Sequence, residues 1–398
     1  VAGAPFLYLQ ERLMMPDEQV TIHKGLDGVI IDETKLSLVN GTEGRLMYSG
    51  YKIEELAAHA LYEEVVFLLW HGRLPDQQEL ESLRAQIAAS ATIPKEVITM
   101  LKSLPSDSNP MAVLRTAVSM LAHYDIDSEV MTPEANERKA IRLNGQVTSL
   151  VAAWPRIRKG LEPISPRNDY TVAQNFVHQL TGELPPSKEA VDAINTFMVL
   201  LTEHGMNVST FTTRVIASSL SDMHSAITGA IGSLKGPLHG GANTEAMNMF
   251  LEIGSPDHVE DWFNENIATG KRRIMGIGHR IYKALDPRAA VLRERAEALA
   301  NASGNAQWFE VADKLANLAR ANQYFIERNL YPNVDYYSAI VLYTLNLPVD
   351  MFTPLFAMSR MAGWTAHFRE QAAANRLVRP DVHYTGPEER PWVALSER

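Results

Sequence analysis

The sequence contains no cysteine. Disulfides, thiolate metal sites and cysteine nucleophiles are therefore excluded, and the absence suits a reducing cytoplasm, the location expected here. Long apolar runs are missing too. The longest, such as that from Tyr336 to Leu347, fall short of the ~20 residues of a spanning helix, so no membrane partner is expected. Val1 to Met15 carries Glu11 and Arg12 inside its apolar stretch and lacks a basic leader, so it reads as a poor secretory signal. Without such a signal, the glycosylation patterns Asn40-Gly41-Thr42 and Asn207-Val208-Ser209 are read as chance matches. The twelve histidines show no His-Glu-x-x-His or comparable ligand spacing, so no metal is expected. No Walker loop and no Gly-x-Gly-x-x-Gly after a strand is present. An excess of positive charge is lacking as well: the net charge of −10 argues against nucleic acid or anionic lipid as a partner.

What remains is an ordinary globular composition, 46% hydrophobic and 21% charged. At 398 residues the chain exceeds the ~250–300 at which single cores stop growing, so two domains are expected. The β-branched runs Gly28-Val29-Ile30-Ile31-Asp32 and Lys35-Leu36-Ser37-Leu38-Val39, followed by Asn40-Gly41, predict a small N-terminal β-hairpin or meander. From Ile53 to Trp70 the apolar residues recur at helical spacing, and helical periodicity dominates thereafter. The class is all-α, with some fifteen or more helices expected. Expected boundaries are a large helical part over 1–236, a small domain over 237–340, and a return to the large domain with a tail over 341–398. Small residues from Ser209 to Gly236 suit a close helix pair, within one subunit or across a dimer interface.

Two segments carry most of the chemistry. Gly236-Pro-Leu-His239-Gly-Gly-Ala-Asn243 and Gly276-Ile-Gly-His279-Arg280 each set a histidine beside glycines, in a turn expected to open onto a helix. A helix N-terminus disfavours imidazolium, and a histidine kept neutral there can donate a hydrogen bond to a forming enolate. Asp335, before an apolar helix, is either an N-cap or a base that takes a proton from carbon. The second role requires the enolate oxygen to be held at the same time, which couples Asp335 to His239. Arg360 is the sole charge between Asp350 and Arg369 on an otherwise apolar helix, so it meets either an internal carboxylate or an anionic ligand. His204 ends a helix beside Gly205, an ordinary place for histidine. Lys271, Arg272, Arg273, Arg280, Lys283 and Arg288 face only Asp286 over 271–288, either a solvated face or a site for a small anion.

The set Gly236 to Asn243, Met275 to Lys283, Asp286-Pro-Arg288, Asn333-Val-Asp335 and Ser359-Arg360 resembles the citrate synthase family in order and spacing. The likeness runs from Gly25-Leu26-Asp27-Gly28 to the tail. The resemblance implies a two-domain, mostly helical homodimer that closes over its substrates. It also implies condensation of acetyl-CoA, a cosubstrate, with oxaloacetate and water, and no permanently bound cofactor. By the same resemblance Asp335 takes the methyl proton, His239 holds the thioester oxygen and His279 protonates the oxaloacetate carbonyl. His204, Arg288 and Arg360 bind oxaloacetate, and Arg379 reaches the partner's site. Arg272, Arg273, Gly276, Gly278, Arg280, Lys283 and Asn333 are the expected CoA contacts. The likeness is to the shorter dimeric members, which implies no inhibition by NADH. A 2-methylcitrate synthase using propionyl-CoA is the nearest alternative, since one methylene changes pocket affinity by only ~1–3 kcal/mol. A non-catalytic CoA-binding protein is a more distant one.

Overall fold

Asparagine and glycine close the first turn of regular structure. β1 (Ser37–Asn40) pairs antiparallel with β2 (Arg45–Tyr48), Asn40 lying opposite Arg45. Between them Asn40 Oδ1 accepts the backbone N–H groups of Thr42 and Glu43, each at 3.1 Å. β3 (Tyr51–Lys52) joins β2 to complete a three-stranded meander. Residues 28–32, expected as a strand, are irregular instead, with Ile30 91% exposed. β-branched composition alone does not make a strand; 37–40 pairs with 45–48 across a short turn, whereas 28–32 joins no strand ladder among the described residues.

The computed structural model describes residues 21–304 and 306–398, so the apolar stretch Val1 to Met15 lies outside the described residues. Contacts divide the chain into two units. Residues 34–377 hold the sheet and all the described α-helices. The other unit includes the described residues 21–33 and 378–398, whose regular structure is two single turns, Lys24–Leu26 and Leu395–Glu397. No described helix is long and apolar enough to cross a membrane.

The first helices are α1 (Ile53–His59), α2 (Tyr62–His71), α3 (Gln77–Ser90), α4 (Lys95–Ser103), α5 (Pro110–Leu121) and α6 (Pro133–Ile157). There follow α7 (Val172–Thr181), α8 (Lys188–Leu201), α9 (Val208–Ser218), α10 (Met223–Leu234), α11 (Ala242–Ile253) and α12 (Val259–Phe263). The last are α13 (Pro287–Ser303), α14 (Gln307–Ala321), α15 (Gln323–Glu327), α16 (Val334–Thr344) and α17 (Phe352–Ala373). The periodic stretch after Tyr51 is thus two helices rather than one. At the break, distant Asn195 donates to Ala60 O (3.0 Å) and accepts from Tyr62 N–H (2.9 Å), satisfying the backbone groups a continuous helix would have paired.

Three side chains start the helices that matter for the site. Asn207 caps α9, Asp286 caps α13 with Pro287 at its first position, and Asn333 caps α16. α17 is buried on nearly every face, as its apolar sequence predicts, and packs against α2, α6, α8, α9 and α10. The α8–α9 turn can approach it because residue 363 is glycine: a Cβ there would stand 2.3 Å from Thr202 O.

Candidate active site

The His279 loop is fastened to the start of α16. Gly278 N–H donates to Tyr331 O (2.8 Å) and Asn333 N–H to Gly276 O (2.9 Å), while Asn333 Nδ2 donates to Gly278 O (2.8 Å). Gly276, at φ +77°, lies so close to α16 that a Cβ would come within 2.9 Å of Tyr336 Cα. On the other side Lys283 N–H donates to Gly41 O (2.8 Å) in the β1–β2 turn. No helix follows His279 directly; the loop runs on to α13 at Pro287, which corrects the expected turn-to-helix geometry. Instead the backbone N–H groups of Ile281 (3.0 Å) and Tyr282 (3.2 Å) donate to His279 Nδ1, which leaves the proton on Nε2.

His239 is fixed in the opposite sense. It precedes α11, as expected, but the helix start facing its ring belongs to α9. Ser209 N–H, one of the unpaired donors of that first turn, donates to Nε2 at 3.2 Å, which leaves the proton on Nδ1. Ser209 Oγ lies 2.9 Å from the same nitrogen, accepts from Trp364 Nε1 (3.2 Å) and donates to Asn207 Oδ1 (2.8 Å). The Asn207-Val208-Ser209 pattern is therefore a helix cap that also seats an imidazole.

His204 sits beyond the end of α8, buried, with its ring 5.4 Å from that of His279 and its Nε2 3.2 Å from Tyr282 Oη. Tyr282 packs against both rings and, at 5.9 Å, against the Arg288 guanidinium. Arg288 is held by Asp286 through two bonds, Nε to Oδ1 at 3.0 Å and Nη2 to Oδ2 at 2.8 Å. Arg360 differs. It is 2% exposed, its Nε donates to Leu201 O (2.6 Å), and its terminal nitrogens meet no acceptor and no paired carboxylate among the described residues. The internal ion pair allowed by the sequence is not formed.

Burial and these cations set the proton affinities. Burial, then Arg360, pushes His239 down to about 4; burial, then Arg288, does the same to His279. His204 is driven well below its ordinary value by burial and by Arg288, His279 and Arg360. Burial raises the Asp335 carboxyl to about 6 against the opposing pull of Arg288 and Arg360. Asn333 rather than Asp335 caps α16, and the Asp335 carboxylate accepts no hydrogen bond among the described residues. The charge of Arg360 acts on His239, His204 and Asp335 alike, which ties separate stretches of sequence to one site.

Residues 25–381 match the family described as "Citrate synthase, C-terminal domain". The chain is 46% identical over 380 residues to citrate synthase 2 of Bacillus subtilis, covering 95% of this chain and 100% of that one. The chain belongs to the citrate synthase family. It is a transferase of the citrate (Si)-synthase type. A 2-methylcitrate synthase of Mycobacterium tuberculosis is 40% identical over 375 residues, 94% of this chain and 93% of that one. A citrate synthase from Thermoplasma acidophilum, solved as a ternary complex with carboxymethyl coenzyme A and oxaloacetate, superposes with a TM-score of 0.89. It is 37% identical and covers 95% of this chain and 100% of its own.

Not every residue expected in a citrate synthase site is free. Arg272 pairs with Glu252 and stacks on Trp262, and both sides of the Asn333 amide are committed to backbone. Gly276 and Gly278 pack on α16 and Leu330. Arg273, Arg280 and Lys283 are exposed. Arg379, in the unit that holds the tail, is exposed with Asp381 at 3.9 Å. Sequence reasoning missed Ser209, Tyr282 and Trp364. Ser209 alone left a signal, two residues after an N-cap asparagine.

Proposed function

We propose that the protein condenses acetyl-CoA with oxaloacetate and water, giving citrate and CoA, with no permanently bound cofactor. Asp335 takes a methyl proton while His239 Nδ1–H holds the thioester oxygen. The enolic carbon then attacks the ketone carbon of oxaloacetate, whose oxygen takes a proton from His279 Nε2. Water cleaves the resulting thioester and releases the CoA thiol. His204, Arg288 and Arg360 receive the oxaloacetate carboxylates and ketone, joined by Arg379 of the partner subunit in a homodimer. The small domain over 237–340 closes on the rest, excluding water until the carbon–carbon bond has formed. Arg273, Arg280 and Lys283 take the CoA phosphates. A cytoplasmic location is part of this reading.

The observation that carries it is a buried carboxyl raised to about 6 that shares Arg360 with His239 and Arg288 with His279, both imidazoles being held neutral with the proton assigned by a backbone donor. A carboxylate of ordinary strength cannot remove a proton from carbon unless the oxygen is stabilised, and one preorganised donor contributes roughly 3 kcal/mol. The 2-methylcitrate synthase relative favours propionyl-CoA as a second acyl donor. Thiol release with oxaloacetate and either acyl-CoA decides between them. We expect kcat/KM to be higher for acetyl-CoA; a clear propionyl preference would make this a 2-methylcitrate synthase.

A further inference from the structure

One face of α17, carrying Arg360, Gly363, Trp364, His367 and Gln371, meets the end of α8, the α8–α9 turn and α9. The turn contains Glu203, fully buried and within the electrostatic reach of Arg360. A carboxylate beside a buried guanidinium ordinarily closes into a direct, often bidentate pair. Here it does not. Glu203 Oε1 instead accepts from Gly205 N–H (2.5 Å), Ser37 Oγ (3.0 Å) and His367 Nε2 (3.0 Å), and Oε2 has no hydrogen-bond partner among the described residues. His367 is itself held. Arg214 Nη1 donates to its Nδ1 at 3.2 Å, so the Nε2 proton points at Glu203. Arg214 is anchored in turn by Glu370 (2.7 Å) and Gln371 (3.1 Å).

We propose that His367 is a positioning residue that tethers Glu203 away from Arg360, keeping that guanidinium open for a substrate carboxylate. The inference rests on the reading of Arg360 as an oxaloacetate ligand. Glu203 is a nearby compensating charge for Arg360, since a buried cation with no counter-charge is costly. Released from His367, the same carboxylate becomes an internal competitor for the guanidinium, at no cost in translational entropy. His367 touches no reacting atom in this scheme. It acts through Glu203 alone.

A double-mutant cycle on the full chain tests this, with KM for oxaloacetate and kcat read by thiol release at saturating acetyl-CoA. His367→Ala is expected to raise KM for oxaloacetate about tenfold with kcat held within about threefold. In a Glu203→Gln background the same replacement is expected to change KM less than about twofold, because a neutral amide does not compete for Arg360. His367→Asn, too short to reach Glu203, is a second tether-breaking variant should the alanine variant not fold. His367→Gln, which retains a donor near the Nε2 position, is expected to restore KM. Equal effects in both backgrounds, or an unchanged KM, would overturn the tether. Wild-type protein that releases no thiol in response to oxaloacetate would overturn the reading of the site instead.

Discussion

In the proposed mechanism the chemistry turns on Asp335, and its raised carboxyl has two measurable consequences. As the proposed base, it works only when ionised. kcat/KM for acetyl-CoA should therefore fall as pH drops through about 6, with the slope of a single proton. His239 and His279, at about 4, stay neutral over that range and add no second limb. A profile flat from pH 5 to 8 would remove Asp335 from the role. The second consequence concerns stability. Because the folded-state value lies above the ordinary 3.8, the folded protein binds this proton more tightly than the unfolded chain does. The group's contribution to stability is therefore lost as pH rises from about 4 to about 6. Asp335→Asn should raise Tm at pH 8, and the gap should shrink towards pH 4 in calorimetry. At this scale the sequence was partly legible. The glycine-flanked histidines and the isolated Arg360 announce themselves, whereas Tyr282 and Trp364 look like core aromatics until their partners are known.

At the scale of elements, the start of α16 and the His279 loop act as one piece, since Asn333 and two glycines bind them through backbone. Gly276→Ala should cost about 1–3 kcal/mol, because the added methyl meets Tyr336 backbone and φ is left-handed. It should also lower turnover well beyond the loss of folded protein, as judged by activity per folded molecule. Activity unchanged at lowered Tm would uncouple the two segments. Helix existence was readable from periodicity and caps, and α17 spans the apolar helix expected around Arg360 between Asp350 and Arg369. The break between α1 and α2 was not, because Asn195, which satisfies it, lies far away in sequence. For the same reason the helix start facing His239 was assigned to α11 rather than α9. A local pattern shows which helix follows a residue, not which one packs against it.

At the scale of the molecule, the account requires two chains. Arg379→Ala and Asp335→Asn homodimers should each be nearly inactive, yet a mixed dimer should recover about half the wild-type rate. Its one intact site pairs the Asp335 of the first chain with the Arg379 supplied by the second. No recovery would mean that Arg379 serves its own chain's site, or none. The most direct test of the central claim, that the Asp335 carboxylate removes the methyl proton, pairs two readings on Asp335→Asn: oxaloacetate-dependent thiol release from acetyl-CoA, and oxaloacetate binding by calorimetry. The account predicts turnover reduced by about a thousandfold or more with oxaloacetate affinity nearly intact. Turnover within tenfold of wild type would contradict it.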